Sequence, residues 1–196
     1  MKKIIALGIL LTSTLAFSQI RVKKDIELAP QIGTATSNYY GDAKLNNDPI
    51  SSVNLGVNAD YFFNSRWSLR SGLFFQTMGS KYSDGYFNYK ETLKYVTIPL
   101  NANWHFGSTR KWYLNFGPSF GFLTSAENNG EDIKDKAESF QLGLNVGIGY
   151  KIEVSKDFSI LIDYQGMSGL TEIAKDSEIP IKNQYSSFNV GGVFKL

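Results

Sequence analysis

Phe140-Gln-Leu-Gly-Leu-Asn-Val-Gly-Ile-Gly-Tyr-Lys-Ile152 alternates without a break: every second side chain is large and apolar, and those between are Gly, Gln, Asn and Lys. An extended chain has period two, so this stretch makes a strand with one oily face and one polar, small face. A soluble sandwich strand would turn the oily face to a core and carry bulky polar groups opposite. Gly143, Gly147 and Gly149 instead suit the crowded inside of a narrow closed barrel whose oily face looks outward to lipid.

The same period recurs along the chain. Eight segments are expected as strands: Ile26–Ser37, Ser52–Phe62, Trp67–Met78, Leu93–Phe106, Trp112–Leu123, Phe140–Ile152, Phe158–Leu170 and Tyr185–Leu196. Each matches or slightly exceeds the roughly 9 to 11 residues that a tilted membrane strand needs. Pro30, which lacks a ladder donor, makes the first segment the least regular. The connections alternate in length. Tyr39–Ile50, Gly79–Thr92, Thr124–Ser139 and Thr171–Gln184 are long and polar, whereas Phe63–Arg66, Gly107–Lys111 and Glu153–Asp157 are turns. Long outer loops and short periplasmic turns are the habit of outer-membrane barrels. The fold class expected is therefore all-β, an eight-stranded antiparallel up-and-down transmembrane barrel, with both ends of the chain periplasmic.

Other features point the same way. Trp67, Trp104, Phe106, Trp112 and Phe158 fall beside the turns, where amphipathic rings favour a membrane interface. Mean hydropathy is −0.20, which would argue against helical spans but not against a barrel, where only alternate residues meet lipid. Lys2 and Lys3, the apolar stretch Ile4–Leu15 and the small residues around Ala16-Phe17-Ser18 read as a cleaved secretory signal over residues 1–18, leaving 19–196 as one barrel domain.

The chain has 196 residues, a net charge of +2 and no Cys. Of 20 Lys and Arg, the signal holds two, so the mature chain carries 18 against 18 Asp and Glu and is formally neutral. Nucleic acid is not an expected partner. Without Cys there is neither a disulfide framework nor a thiol for a lipid anchor. Acidic residues gather between Thr124 and Ser139 (Glu127, Glu131, Asp132, Asp135, Glu138), and Arg21, Lys23, Lys24, Arg66, Arg110 and Lys111 gather on the turn side. Such runs are read as solvated surface.

Strand parity puts Glu27, Asp60 and Asp163 inside with Arg70, Lys151 and Lys195, together with His105, as a polar lumen network. Charges enclosed there require pairing, amide hydrogen bonds and trapped water. An eight-strand barrel is filled by its own side chains, so a continuous pore is not expected. His105 is the sole histidine and sits at the turn end of its strand with Ser108 in the turn, far from the outer rim where a lipid-modifying enzyme would work; a hydrogen bond to Asn103 or a carboxylate is its expected role. Neither a metal site nor a phosphate loop nor a triad signature is present in the sequence, and no catalytic residue or cofactor is expected.

Three stretches, Y-V-T-I-P-L (Tyr95–Leu100), N-F-G-P-S-F-G-F-L (Asn115–Leu123) and V-G-I-G-Y-K-I (Val146–Ile152), resemble the PorT-like outer-membrane β-barrel family of Bacteroidetes-type bacteria. The resemblance spans essentially the whole mature chain and implies a small eight-stranded barrel in the cell outer membrane. The family's founding member is linked to a protein secretion and gliding apparatus, and no catalytic residues carry over. The terminal alternation Phe188, Val190, Phe194, Leu196 resembles the end that the barrel assembly machinery recognises, with Leu196 in place of the more usual Phe.

The leading expectation is a non-enzymatic outer-membrane barrel, a structural or surface-interaction module that meets outer-membrane lipid on its wall and protein partners through its external loops. Two alternatives belong to other classes: an outer-membrane enzyme acting on lipid A or a similar amphiphile, and a soluble periplasmic barrel binding a small apolar ligand.

Overall fold

A period-two chain can hide its polar backbone in hydrocarbon only by closing its sheet on itself, and the computed structural model does this. It describes residues 21–41, 46–83, 85–175 and 179–196; the signal expected over residues 1–18 lies outside them. The strands are β1 (Ile26–Gly41), β2 (Asn47–Phe62), β3 (Trp67–Ser83), β4 (Asn88–Phe106), β5 (Trp112–Asn128), β6 (Phe140–Glu153), β7 (Phe158–Gly169) and β8 (Ile181–Lys195). Each pairs antiparallel with its sequence neighbours, and β1 also pairs with β8. Gln31, for example, faces Gly56 on β2 and Gly191 on β8. Pro30, without an N–H to give, is accommodated within β1.

The wall is apolar outside and polar inside. Phe75, Leu55 and Val146 are 57%, 51% and 56% exposed, while Asp60 and Arg70 are each 1% exposed and Asn189 is fully enclosed. A soluble barrel would bury the former, so the soluble periplasmic alternative is set aside: the solvent for those side chains is lipid. Near the turns the aromatics form a band on the outer wall. Trp67 stacks on Trp104, Trp104 on Phe106, Phe106 on Trp112, and Trp112 meets Tyr150, with ring centroids 4.8–6.4 Å apart. Phe158 and Phe194 make a further pair at 5.1 Å.

The strands run further than their apolar pattern does, and the surplus lies at the end away from the turns. The ladder between β3 and β4 continues through Gly79↔Thr92, Ser80↔Glu91 and Tyr82↔Tyr89 to Ser83↔Asn88. Two of the four connections expected as long loops are thus mostly ribbon: beyond the membrane the outward face no longer has to be apolar, so the period-two signal fades although the hydrogen bonds persist. The other two, in their described parts 129–139, 170–175 and 179–180, are largely irregular, the first with a two-residue strand Glu131–Asp132 and a single 3₁₀ turn Lys134–Lys136.

These two loops fold over the outer mouth. Ala137 bridges to Ala174, Glu138 N–H donates to the Ile173 carbonyl (2.8 Å) and Lys175 N–H to the Lys136 carbonyl (2.9 Å). Ala137 and Ile173 then pack with Tyr39, Met78, Leu93, Tyr95, Leu123 and Met167 into an apolar plug.

The lumen below is tight, and Gly149 explains part of it: a Cβ there would overlap the Tyr113 hydroxyl. Gly149→Val should therefore lower unfolding stability by about 1–3 kcal/mol through overpacking. Gly166→Val is the control, because its Cβ would point outward with its nearest neighbour, the Val146 carbonyl oxygen, at 3.8 Å. Urea midpoints of the refolded variants decide this; equal midpoints would mean that the lumen yields.

Candidate functional site: the charged lumen

Strand alternation delivers one polar side chain per strand to a single level of the barrel. Register places Glu27 beside Asp60, Asp60 beside Arg70, Tyr113 beside Gly149 and Asp163 beside Asn189. Arg70 grips Asp60 with two parallel hydrogen bonds, Nε to Oδ1 at 3.0 Å and Nη2 to Oδ2 at 2.8 Å. Its Nη1 lies 3.9 Å from Asp163 Oδ2, and its guanidinium sits 4.3 Å from the centre of the Tyr113 ring. Lys151 Nζ donates to Glu27 Oε2 and lies 3.4 Å from Asp60 Oδ2. Amides and hydroxyls fill the remaining acceptors: Ser68 and Asn103 on Asp60 Oδ1 (3.1 and 2.9 Å), and Tyr113, Gln165 and Asn189 on Asp163 (2.9, 3.0 and 2.8 Å).

Six of the seven residues that parity placed inside, Glu27, Asp60, Arg70, His105, Lys151 and Asp163, meet in this level. Lys195 does not. At the last turn of β8 its side chain is 24% exposed at the periplasmic rim and pairs with Asp25 at 2.7 Å. Inward parity alone does not enclose a residue at the mouth. Burial by itself would raise the Asp25 carboxyl, but the hydrogen bond and charge of Lys195 outweigh it and hold the group below its ordinary value. A depressed carboxyl stabilises the fold above its unfolded value, so this small contribution fades only as strong acid is reached. A second rim pair joins Lys111 to Glu153 at 3.2 Å.

The third lumen cation is Arg21, which precedes β1. Its Nε donates to Glu27 Oε1 at 2.6 Å, Nη1 reaches the Arg110 carbonyl at 3.3 Å, and the guanidinium lies 5.5 Å from the centre of the Phe62 ring. Sequence periodicity could not find it, since it belongs to no alternating segment. Three carboxylates thus face three cations, and the N-terminal stretch closes the periplasmic end.

His105 is fully enclosed. Its Nε2 lies 3.2 Å from Asn103 Nδ2 and 3.4 Å from Ser68 Oγ, while Nδ1 has no hydrogen-bond partner. A Ser–His pair with no acid to orient the ring and no opening to solvent lacks the geometry of a nucleophilic site. Among the described residues no group of three or more His, Cys, Asp or Glu is placed to hold a metal ion. Between the charged level and the apolar plug a cavity of about 30 Å³ remains, lined by Gln31, Asn54, Asn58 and Asn101, the room of about one water molecule.

Solved outer-membrane barrels share this architecture. The chain is similar to OprG of Pseudomonas aeruginosa (TM-score 0.63, 14% identity, covering 92% of this chain and 99% of that one). It is also similar to the N-terminal β-barrel domain of OprF from Pseudomonas aeruginosa (TM-score 0.51, 14% identity, 90% and 100% covered) and to Neisserial surface protein A (TM-score 0.53, 15% identity, 86% and 97% covered). At these identities the likeness concerns the fold alone. No curated protein matches the chain. The family model described as outer membrane protein beta-barrel domain matches residues 12–175, so this closed, inside-out barrel belongs to that family and its place is the outer membrane.

Proposed function

We propose that this protein is a non-enzymatic, non-conducting outer-membrane barrel that acts as a structural and surface-interaction module through its outer ribbons and loops. The observation that carries this reading is the filling of the lumen from end to end: Arg21 and the ion network at the periplasmic side, one water-sized cavity in the middle, and the Tyr39–Ile173 plug outside. A rigid scaffold presenting mobile-length connections is where binding commonly resides. The motifs quoted above support a finer placement among PorT-like barrels, with an accessory role in protein secretion, and the alternating C-terminal strand supports delivery by the barrel assembly machinery.

In planar bilayers the purified protein should be electrically silent, and steady ion conductance would overturn the closed-lumen reading. A variant in which residues 84–87, 129–138 and 171–179 are shortened to turns should still insert yet lose surface association with partners; association that survives would remove the role from the outer end. His105→Ala should leave the lipid A profile of the cell unchanged, and an altered profile would revive the enzymatic reading.

A further inference from the structure

Beside the plug, the outer mouth holds a cup of about 340 Å³ whose walls include Tyr39, Asn47, Tyr82, Glu91, Ile173 and Ile181. Glu91 comes from the ribbon part of β4 and Tyr82 from that of β3, two residues on from Ser80, the register partner of Glu91, and so on the same face of the strand. Tyr39 O–H donates to Glu91 Oε1 at 2.8 Å and fixes the carboxylate in the wall. Among the described residues no Lys or Arg forms an ion pair with Glu91, whereas the buried acids Glu27, Asp60, Glu153 and Asp163 each have a cation within 4.0 Å. A desolvated carboxylate without a counter-charge is an unfavourable arrangement unless something supplies the charge.

We propose that this cup binds a small organic cation, an amine or quaternary ammonium group carried on an apolar or aromatic body. Glu91 supplies the charge, the Tyr39 and Tyr82 rings offer faces that attract a cation, and Ile173 with Ile181 receives the apolar part. An anion would meet the carboxylate directly. A metal ion would find one carboxylate and no further ligand cluster among the described residues. A neutral apolar guest would bury Glu91 further without compensating its charge. The site shares Tyr39 and Ile173 with the plug, but a cation bound there neither requires nor excludes a closed lumen.

Proton linkage follows from the same geometry. Burial raises the Glu91 carboxyl above its ordinary value, opposed in part by the Tyr39 hydrogen bond. The titratable groups that interact with it from the neighbouring positions are the phenols of Tyr39 and Tyr95. A bound cation favours the ionised form, so binding should release a proton at mildly acidic pH and weaken as pH falls.

The experiment is calorimetric titration of the full-length mature barrel, in a neutral sugar-headgroup detergent, with benzyltrimethylammonium and with benzyl alcohol as the uncharged analogue. Saturable binding of the ammonium, with benzyl alcohol and Glu91→Gln each weaker by about tenfold or more, would support the site. Equal affinity for the two probes, or no loss in Glu91→Gln, would overturn it. Should Glu91→Gln fail to fold, the unaltered protein still decides: affinity that is flat between about pH 4 and 7 contradicts a carboxylate at the centre of the site. None of these outcomes bears on conductance, so failure here leaves the closed-barrel test standing.

Discussion

Asp60→Ala is expected to lower the unfolding free energy by about 3–5 kcal/mol. Asp60 takes both arms of Arg70, lies 3.4 Å from Lys151 and receives Ser68 and Asn103. Removing it leaves two cations enclosed with one compensating carboxylate fewer, and the cost is the stranded charge rather than the lost bonds. Asp60→Asn keeps the shape and most hydrogen bonds but should lose nearly as much, which separates charge from packing. Lys195→Ala at the rim provides the contrast, with an expected change of no more than about 1 kcal/mol because water screens that pair. Urea unfolding in lipid vesicles, followed by the heat-dependent gel shift, measures all three. Similar values for Asp60 and Lys195 would mean that water reaches the inner network freely.

Val146→Arg should be the second severe change, with a cost of about 2–4 kcal/mol. Val146 sits in the middle of β6, 56% exposed, between Phe116 of β5 and Gly166 of β7. On a water-facing wall the substitution would be harmless; in hydrocarbon the guanidinium has nowhere to be solvated. Val154→Arg, equally exposed but in the periplasmic turn, should be nearly neutral. The difference between two valines of the same exposure therefore reads out the lipid boundary directly, and equal stabilities would show that the wall faces water.

The barrel itself was legible because its physics is local. The alternation from Phe140 to Ile152 fixes which side chains enter the lumen, and parity carried that assignment to Asp60, Arg70 and Asp163 on other strands. Three things were not local. Arg21 reaches the ion network from a stretch with no period, so no pattern announces it. Lys195 has inward parity but lies at the mouth, where enclosure depends on how far neighbouring turns extend. The ribbon made by Ser80–Ser83 and Asn88–Glu91 looks like loop because polar residues on both faces erase the alternation, while the ladder that holds it depends on partners across the hairpin. The plug illustrates the same limit: Ala137 and Ile173 lie in different loops, and only tertiary folding brings them together.

The seam between β1 and β8 has a consequence for how the molecule fails. The N–H of Leu196 donates to the carbonyl of Ile26 at 2.9 Å, so the last residue of the chain is tied to the first residue of the first strand. The sheet is in effect a ring, and unzipping any one ladder would bare two rows of peptide groups to hydrocarbon, several kcal/mol for each group. Gradual fraying from a terminus is thereby denied to the membrane-spanning part. Such a protein persists intact for a long time and then comes apart all at once.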